Sequence, residues 1–545
     1  MRKVQRSQIG VISFVGLISP IAELPQDGSF LAFALMGAST IGFLLSLFLM
    51  SWLSSLGSVG SVLRVIILIL EVVFVFNLMI LVHEYGHFLA ARWRGLKVEK
   101  FYIWFGKPLW KKTINGVEYG LGSIPAGGFV ALPQMAPMGG LEGESEITEP
   151  LPPISATDKI IVAFAGPLFS FLLACCFAVV VSQLGNPVSE VFSTTTIGFV
   201  ADDSAAAKAG LKVGDKILSI DGHKIKRFEG LVDSVRWGVV SSEGEYIHFE
   251  IERPGEGVKA IDVKSEKPII KAEDTSWWHG LFKRPALREV GILGKQTPMV
   301  AEAQPNGPAA EAGLLPNDLV TKANGIELMS IGSLAEIIEK NPGKPVALTI
   351  NRAGKAVEVT LTPRLPDVRP KDHTREMVGI RWDSEGKREL TYPPVIEQVS
   401  DAVYHMKSLV VKLFSPKSDL SVAHMSGPVG ISRLYYTLFQ HEDGWKKVFW
   451  FSVLFNINLA IMNMLPFPVL DGGHITLAIG EIIRRKPIQS RLLEWVQTAC
   501  ALTLFGFMFF ITFKDVGDWI FGGKKGGGAG IETSWLPKDK REAVK

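Results

Sequence analysis

The chain alternates between long apolar runs and mixed, charged stretches, and the two follow different periodicities. Residues 30–53, 61–82, 160–181, 448–465 and 492–513 are almost continuously apolar. Each is near the roughly 17–25 residues that a helix needs to cross hydrocarbon, so the pattern predicts five membrane spans. Residues 9–22 form a sixth, shorter apolar run, broken by Pro20 and followed by Glu23, which reads as an interfacial helix or a signal-like segment. The 30–53 run reads as a lipid-facing helix that reverses the direction of the chain.

From about residue 193 to 365 the composition becomes that of soluble α/β modules, and a pattern recurs. Ser204-Ala205-Ala206-Ala207-Lys208-Ala209-Gly210-Leu211-Lys212-Val213-Gly214-Asp215 is answered by Gly307-Pro308-Ala309-Ala310-Glu311-Ala312-Gly313-Leu314-Leu315-Pro316-Asn317-Asp318. Each copy runs on into a strand and a tight turn at Asp221-Gly222 or Asn324-Gly325. An internal repeat of this kind predicts duplicated domains, at 187–268 and 285–365. After them Val395, Val399, Ala402, Met406, Leu409, Val410 and Leu413 recur at helical spacing, with Glu397, Asp401, Lys407 and Lys412 elsewhere on the helix. That pattern predicts an amphipathic connector, 392–432, lying along the membrane surface. The remaining divisions are an extension at 1–60, a membrane core in two parts at 61–186 and 446–520, and a flexible tail at 521–545. Residues 142–153, acidic and proline-rich, read as a mobile loop.

Composition agrees with this organisation: 545 residues with 32 Phe and a positive mean hydropathy suit a polytopic membrane protein bearing soluble modules. The formal charge of +3 selects no partner. No basic tract with interleaved aromatics suggests nucleic acid. Cys175, Cys176 and Cys500 lie in apolar runs, which argues against both a disulfide framework and a cysteine-type zinc site. Arg92, Arg94, Lys97 and Lys100 follow one span, and Arg484, Arg485, Lys486 and Arg491 lie between the last two, so both loops are expected on the cytoplasmic side. Arg2, Lys3 and Arg6 place the N-terminus there too. Five spans then leave the C-terminus outside, against the weaker indication of Lys524, Lys525 and Lys538.

The chemistry begins at His83-Glu84-Tyr85-Gly86-His87, at the end of the 61–82 run. On a helix turning about 100° per residue, positions i and i+4 are roughly 40° apart, so the two imidazoles can share one zinc ion. Glu84, beside them, is placed to act as general base toward a water at the metal. A third ligand is required, and Asp471 in Pro466-Phe467-Pro468-Val469-Leu470-Asp471-Gly472-Gly473 is the candidate. The prolines end or kink the preceding helix and the glycine pair permits a sharp turn; the same aspartate could instead cap the next helix. Residues 119–130 are too glycine-rich for a stable helix and have strand-like alternation.

These motifs, in order with Ile124-Pro125-Ala126-Gly127-Gly128-Phe129-Val130, Ala165-Gly166-Pro167, Ser426-Gly427-Pro428-Val429-Gly430-Ile431 and Asn463-x-x-Pro466, resemble the site-2 protease family of intramembrane zinc metalloproteases. The likeness is closest to its bacterial RseP type. The repeated modules resemble bacterial PDZ domains. The resemblance implies a polytopic α-helical membrane protein of about five spans, with a re-entrant β-hairpin over 119–130 and two α/β PDZ-like domains. It implies a zinc metalloendopeptidase in the bacterial inner membrane, with Zn2+ held by His83, His87 and Asp471 and Glu84 as catalytic base. Asn458, Asn463, Gly127 and Gly128 would engage substrate, the hairpin by offering a strand edge. The implied substrates are single-span membrane proteins already trimmed by another protease, such as anti-sigma factors, or remnant signal peptides. The PDZ pair would face the periplasm or exterior. The chain departs from the pattern at Ser170, where similar proteins often carry Asn. A rival reading, a membrane-anchored adaptor with a degenerate metal site, is opposed by the intact His83-Glu84-x-x-His87 and Leu470-Asp471-Gly472 motifs.

Overall fold

The computed structural model describes residues 57–135, 151–265, 284–369, 374–383, 385–441, 443–485, 490–521 and 534–537. The runs at 9–22 and 30–53, residues 142–150 of the acidic loop and most of the 521–545 tail lie outside the described residues. Among the described residues, three helices are long and apolar enough to cross a membrane: Ser61–Trp93, Ala156–Leu184 and Trp495–Asp518. The run at 448–465 also forms a helix, but one that includes Lys446 and Lys447 and is not among those three. The described residues divide into two compact units, those lying within 57–170 and 463–498, and those lying within 171–462 and 499–537.

In the first unit, α1 (Gly57–Trp93) continues well past the apolar run, because Tyr85, Phe88, Ala90 and Ala91 are buried against a sheet that follows it. That sheet comprises β1 (Lys100–Phe105), β2 (Trp110–Ile114), β3 (Val117–Leu121) and β4 (Ile124–Ala131), in the order β2-β3-β1-β4. The expected hairpin over 119–130 is therefore corrected. β3 and β4 do not pair with each other; β1 lies between them, parallel to β3 and antiparallel to β4. The physical reason lies in the glycines. A Cβ on Gly120 would come within 2.4 Å of the Tyr102 ring and one on Gly127 within 2.2 Å of the Phe105 ring, so both make room for the aromatic side chains of β1. β4 is left as the edge strand, packed against α1. Helix α2 (Ala156–Leu184) begins in this unit.

The second unit holds the repeat. Chain leaves α2 through β5 (Asn186–Ser189). Module 1 is then β6 (Ile197–Val200), α3 (Ala205–Ala209), β7 (Lys216–Ile220), β8 (His223–Lys224), α4 (Val235–Ser241), β9 (Tyr246–Arg253), β10 (Gly257–Lys264) and β11 (Ile292–Gly294). Module 2 repeats it as β12 (Val300–Ala303), α5 (Pro308–Glu311), β13 (Leu319–Ala323), β14 (Ile326–Glu327), α6 (Ile331–Glu339), β15 (Val346–Arg352), β16 (Lys355–Leu361) and β17 (Ile380–Trp382). Each module has a four-stranded sheet, β10-β9-β7-β8 and β14-β13-β15-β16, and a two-stranded one, β6 with β11 and β12 with β17. Strand pairing thus moves both module limits. β11, expected to open the second domain at 285–365, closes the first, and β17 lies beyond 365. β18 (Arg388–Thr391) then pairs with β5, so the two ends of the module region are tied together.

Helix α7 (Val395–Phe414) buries Gln398, Ala402 and Met406 and joins module 1 through Lys412 to Glu243 at 3.0 Å and Asp401 to Arg227 at 3.2 Å. Ile396, Val403, Val411 and Phe414 stay exposed, within an arc of about 80° at 100° per residue. After it come α8 (Pro428–Gln440), α9 (Gly444–Asn463), α10 (Asp471–Arg484) and α11 (Ser490–Phe521). The Gly427-Pro428-Val429-Gly430 motif gains a physical account here. The Gly427 and Gly430 amides donate to Asp515 of α11 at 3.0 and 2.8 Å, and a Cβ on Gly430 would fall 2.7 Å from that carboxylate.

Each module is closed by the same ionic clamp. Asp215 takes two bonds of 2.7 Å from Arg253 and one from the Lys212 amide; Asp318 takes bonds of 2.8 and 2.7 Å from Arg352 and one from the Leu315 amide. Burial alone pushes the Asp318 carboxyl up, but the Arg352 guanidinium and the Leu315 N–H outweigh it and hold it below the usual carboxylate range. A depressed carboxylate stabilises the fold above its unfolded value of about 4, and that contribution is lost as the pH falls through the lower folded value. Asp318→Asn is expected to destabilise module 2 by about 2–4 kcal/mol at neutral pH. The measurement is faster amide exchange across β13 and β15, with the difference from wild type shrinking below about pH 4.

Candidate metal centre

Three candidate ligands from distant parts of the sequence converge in the first unit. His83 and His87 lie one turn apart on α1, and Asp471 is the first residue of α10. Their nearest donor atoms all lie within 4.8 Å of one another. The two Nε2 atoms are 3.3 Å apart, His83 Nε2 is 3.2 Å from Asp471 Oδ2, and His87 Nε2 is 3.3 Å from Asp471 Oδ1. Ligands 2.0–2.1 Å from a tetrahedral zinc are separated from each other by about 3.3–3.4 Å, so these side chains fit the ion.

The far side of each imidazole is held as well. His87 Nδ1 donates to the Val162 carbonyl at 2.8 Å, which leaves the Nε2 lone pair directed at the centre. His83 Nδ1 is bonded to Ser170 Oγ at 3.0 Å, and Ser170 is fully buried. The position at which the chain departs from the family pattern therefore carries a polar contact to a candidate ligand.

Two glycine sites allow this convergence. A Cβ on Gly166 would lie 2.2 Å from His87 Nε2 and 2.9 Å from His83 Nε2, in the space between the donors. At the other side, a Cβ on Gly472 or Gly473 would strike the Met464 or Phe467 carbonyl at 2.2 or 2.0 Å, so the chain doubles back after α9 only with glycines there. Asp471 consequently sits at the mouth of the turn, and Lys159 of α2 bridges to Glu481 of α10 at 2.8 Å, fixing the second helix against the first.

The Val130 backbone of β4 lies beside the Glu84 carboxyl. A Cβ on Gly128 would be 3.4 Å from Glu84 Cγ and 3.1 Å from Ile80, so the Gly127-Gly128 pair is where the edge strand comes against α1. Asn463, the last residue of α9, brings its side-chain amide within 3.5 Å of His83 Nε2. Asn458 is not brought to these ligands by any described contact. It lines a cavity of about 780 Å³ in the second unit, walled by Trp237, Leu409, Leu434 and Phe455, and its Oδ1 is buried with no hydrogen-bond partner among the described residues. The sequence reading missed His474, which interacts electrostatically with Asp471 and His87 from the next turn of α10. Its spacing of three residues from Asp471, one helical turn, was the available signal.

Residues 71–507 match Peptidase family M50. A protein of Neisseria meningitidis named as a zinc metalloprotease is 30% identical over 436 residues, covering 77% of this chain and 92% of that protein. One of Vibrio cholerae with the same kind of name is 29% identical over 465 residues, covering 81% and 96%. The regulator of sigma-E protease RseP of Escherichia coli is 28% identical over 466 residues, covering 81% and 96%. The match spans the histidine helix, the repeated modules and the aspartate turn together, and the chain belongs to peptidase family M50, as a membrane-embedded zinc metalloprotease of the site-2 protease, RseP type.

Proposed function

We propose that this protease cuts peptide bonds within or beside the transmembrane segment of single-span membrane proteins, with His83, His87 and Asp471 holding zinc and Glu84 as the catalytic base. The observation that carries this reading is the 3.2–3.3 Å spacing of the three ligand side chains next to Glu84 and an open strand edge. When bound, zinc supplies Lewis acidity that polarises the scissile carbonyl and acidifies water. The Glu84 carboxylate takes a proton from the attacking water and returns it to the leaving amine. A helical substrate shields its own carbonyls, so it has to unwind, and β4 offers the unwound backbone a strand to pair with. Gly127 and Gly128 keep that strand close to Glu84. Asn463, beside His83, has an amide to offer a substrate carbonyl, and Asn458 offers an unsatisfied acceptor inside an apolar cavity.

The names of the relatives tie those proteins to sigma-E regulation, which favours an anti-sigma factor as substrate class here, with remnant signal peptides as the second. The charge pattern supports a bacterial inner-membrane protein of about five spans with both modules outside the cytoplasm. There the modules act as a size filter, excluding substrates whose folded outer domains have not been removed by an earlier protease.

Three outcomes follow from these assignments. Glu84→Gln retains fold and zinc but loses at least about 100-fold in cleavage rate, since the amide cannot accept the proton; turnover within tenfold of wild type removes Glu84 from the role of base. Asp471→Asn and Gly166→Ala each lower zinc content by elemental analysis, the first by weakening a ligand, the second by placing a methyl between the imidazoles; full occupancy in both puts the metal elsewhere. Because β5 and β18 are adjacent, residues 193–385 can be replaced by a short linker. That deletion retains cleavage of short-ectodomain substrates and newly accepts long ones, whereas collapse of short-substrate cleavage in a folded, zinc-loaded protein replaces the filter with recruitment.

A further inference from the structure

The described C-terminal residues, 534–537, are seated on module 2. Ser534 exchanges backbone hydrogen bonds of 3.0 and 3.1 Å with Val368. Trp535 is only 5% exposed. Its indole N–H donates to Gln304 Oε1 at 2.9 Å, and the Arg364 guanidinium lies over its ring at 4.9 Å. The Asn306 amide reaches the Trp535 carbonyl at 3.4 Å, and the Leu536 N–H donates to Asp367 at 2.9 Å. Nearly complete burial of so large a side chain requires a recess that receives it.

Module 1 supplies the internal comparison. There Ser204 stands before α3 and lies against Gly291, so closely that a Cβ on that glycine would fall 2.3 Å from Ser204 Cβ. The equivalent positions of module 2 are Gly307, before α5, and Gly379. With serine replaced by glycine the recess opens, and the indole fills it: Cβ atoms on Gly307 and Gly379 would lie 3.1 and 3.0 Å from Trp535 Nε1. Gln304 and Asn306 then meet the polar groups of the visiting segment, and Arg364 covers the face of its indole.

We propose that this notch is a recognition site for an extended, tryptophan-bearing peptide, occupied in cis by the chain's own C-terminal tail. The tail is joined to α11 through twelve residues, 522–533. It therefore latches module 2 to the last membrane helix and competes at an effective concentration of about millimolar with any outside peptide of the same chemistry. The latch also requires the C-terminal tail and module 2 to share one side of the membrane.

The test uses the full chain in detergent micelles and a labelled decapeptide copying residues 531–540. By fluorescence anisotropy, the peptide binds Trp535→Ala, whose notch is vacated, at least tenfold more tightly than wild type. Adding Gly307→Ser, which restores the module 1 residue, or Arg364→Ala weakens that binding at least tenfold, as does replacing the peptide's tryptophan by alanine. Equal binding to wild type and Trp535→Ala, or indifference to Gly307→Ser and Arg364→Ala together, overturns the proposal. A cysteine pair at Val368 and Ser534 in a chain lacking Cys175, Cys176 and Cys500 reads the latch directly, since such bridge partners have Cα atoms about 5.5 Å apart, within disulfide range. Crosslinking that forms readily and falls when Trp535 is replaced supports the latch; crosslinking that is absent, or that ignores Trp535, sinks it.

Discussion

Everything at the candidate centre depends on how closely α2 can approach α1. Gly86 meets the Ala165 carbonyl, where a Cβ would be 2.5 Å away, and Gly166 faces the two imidazoles with no side chain between. Small residues at a helix crossing let backbones come together where lipid gives no hydrophobic drive to do so. That contact brings the Val162 carbonyl and Ser170 hydroxyl to the outer nitrogens of His87 and His83, so one packing event both opens space for an ion and orients the imidazoles that would hold it. The same crossing carries Lys159, and through Glu481 the helix that begins with Asp471.

The modules are built on a different constraint. Their buried aspartates would be costly alone, and each is answered by a two-bond arginine that also reaches the carbonyl of Gly210 or Gly313. This joins the turn before the first long strand to the strand that follows the second helix. Among the differences between the modules, Gly307 stands where the first has Ser204, and there the Trp535 indole lies in place of the packed Ser204–Gly291 contact. A repeat fixes a scaffold, and single departures from it create sites.

The histidine pair was legible because an α-helix brings i and i+4 together whatever surrounds it, and Asp471 because prolines and glycines punctuate the chain beside it. The duplicated modules were legible from the Ala-Gly-Leu repeat. Three readings failed where a nonlocal partner decided the outcome. Residues 119–130 have strand character, yet β1 inserts between the two strands because its aromatic rings occupy the room left by Gly120 and Gly127. β11 reads as the start of the second module and β17 as lying outside it until their pairing with β6 and β12 is seen, although Val290-Gly291-Ile292 and Val378-Gly379-Ile380 repeat the same triplet. The lysine- and glycine-rich tail reads as flexible, but its described residues Ser534 to Pro537 lie against module 2, where Ser534 pairs with Val368 and Trp535 is buried.

What the sequence determined by itself was local: which runs are apolar, which residues share a helix face, and which side chains have the chemistry to hold a metal or move a proton. These follow from periodicity and side-chain type and need no partner. What only the tertiary structure decided was convergence: Asp471 with a histidine pair some 380 residues away in sequence, Ser170 as a partner of His83, Gly128 beside Glu84, and the tail against module 2. Each of these depends on the distance between backbones at a crossing or strand edge, and that distance is set by small residues whose importance is invisible until the neighbour they admit is in place.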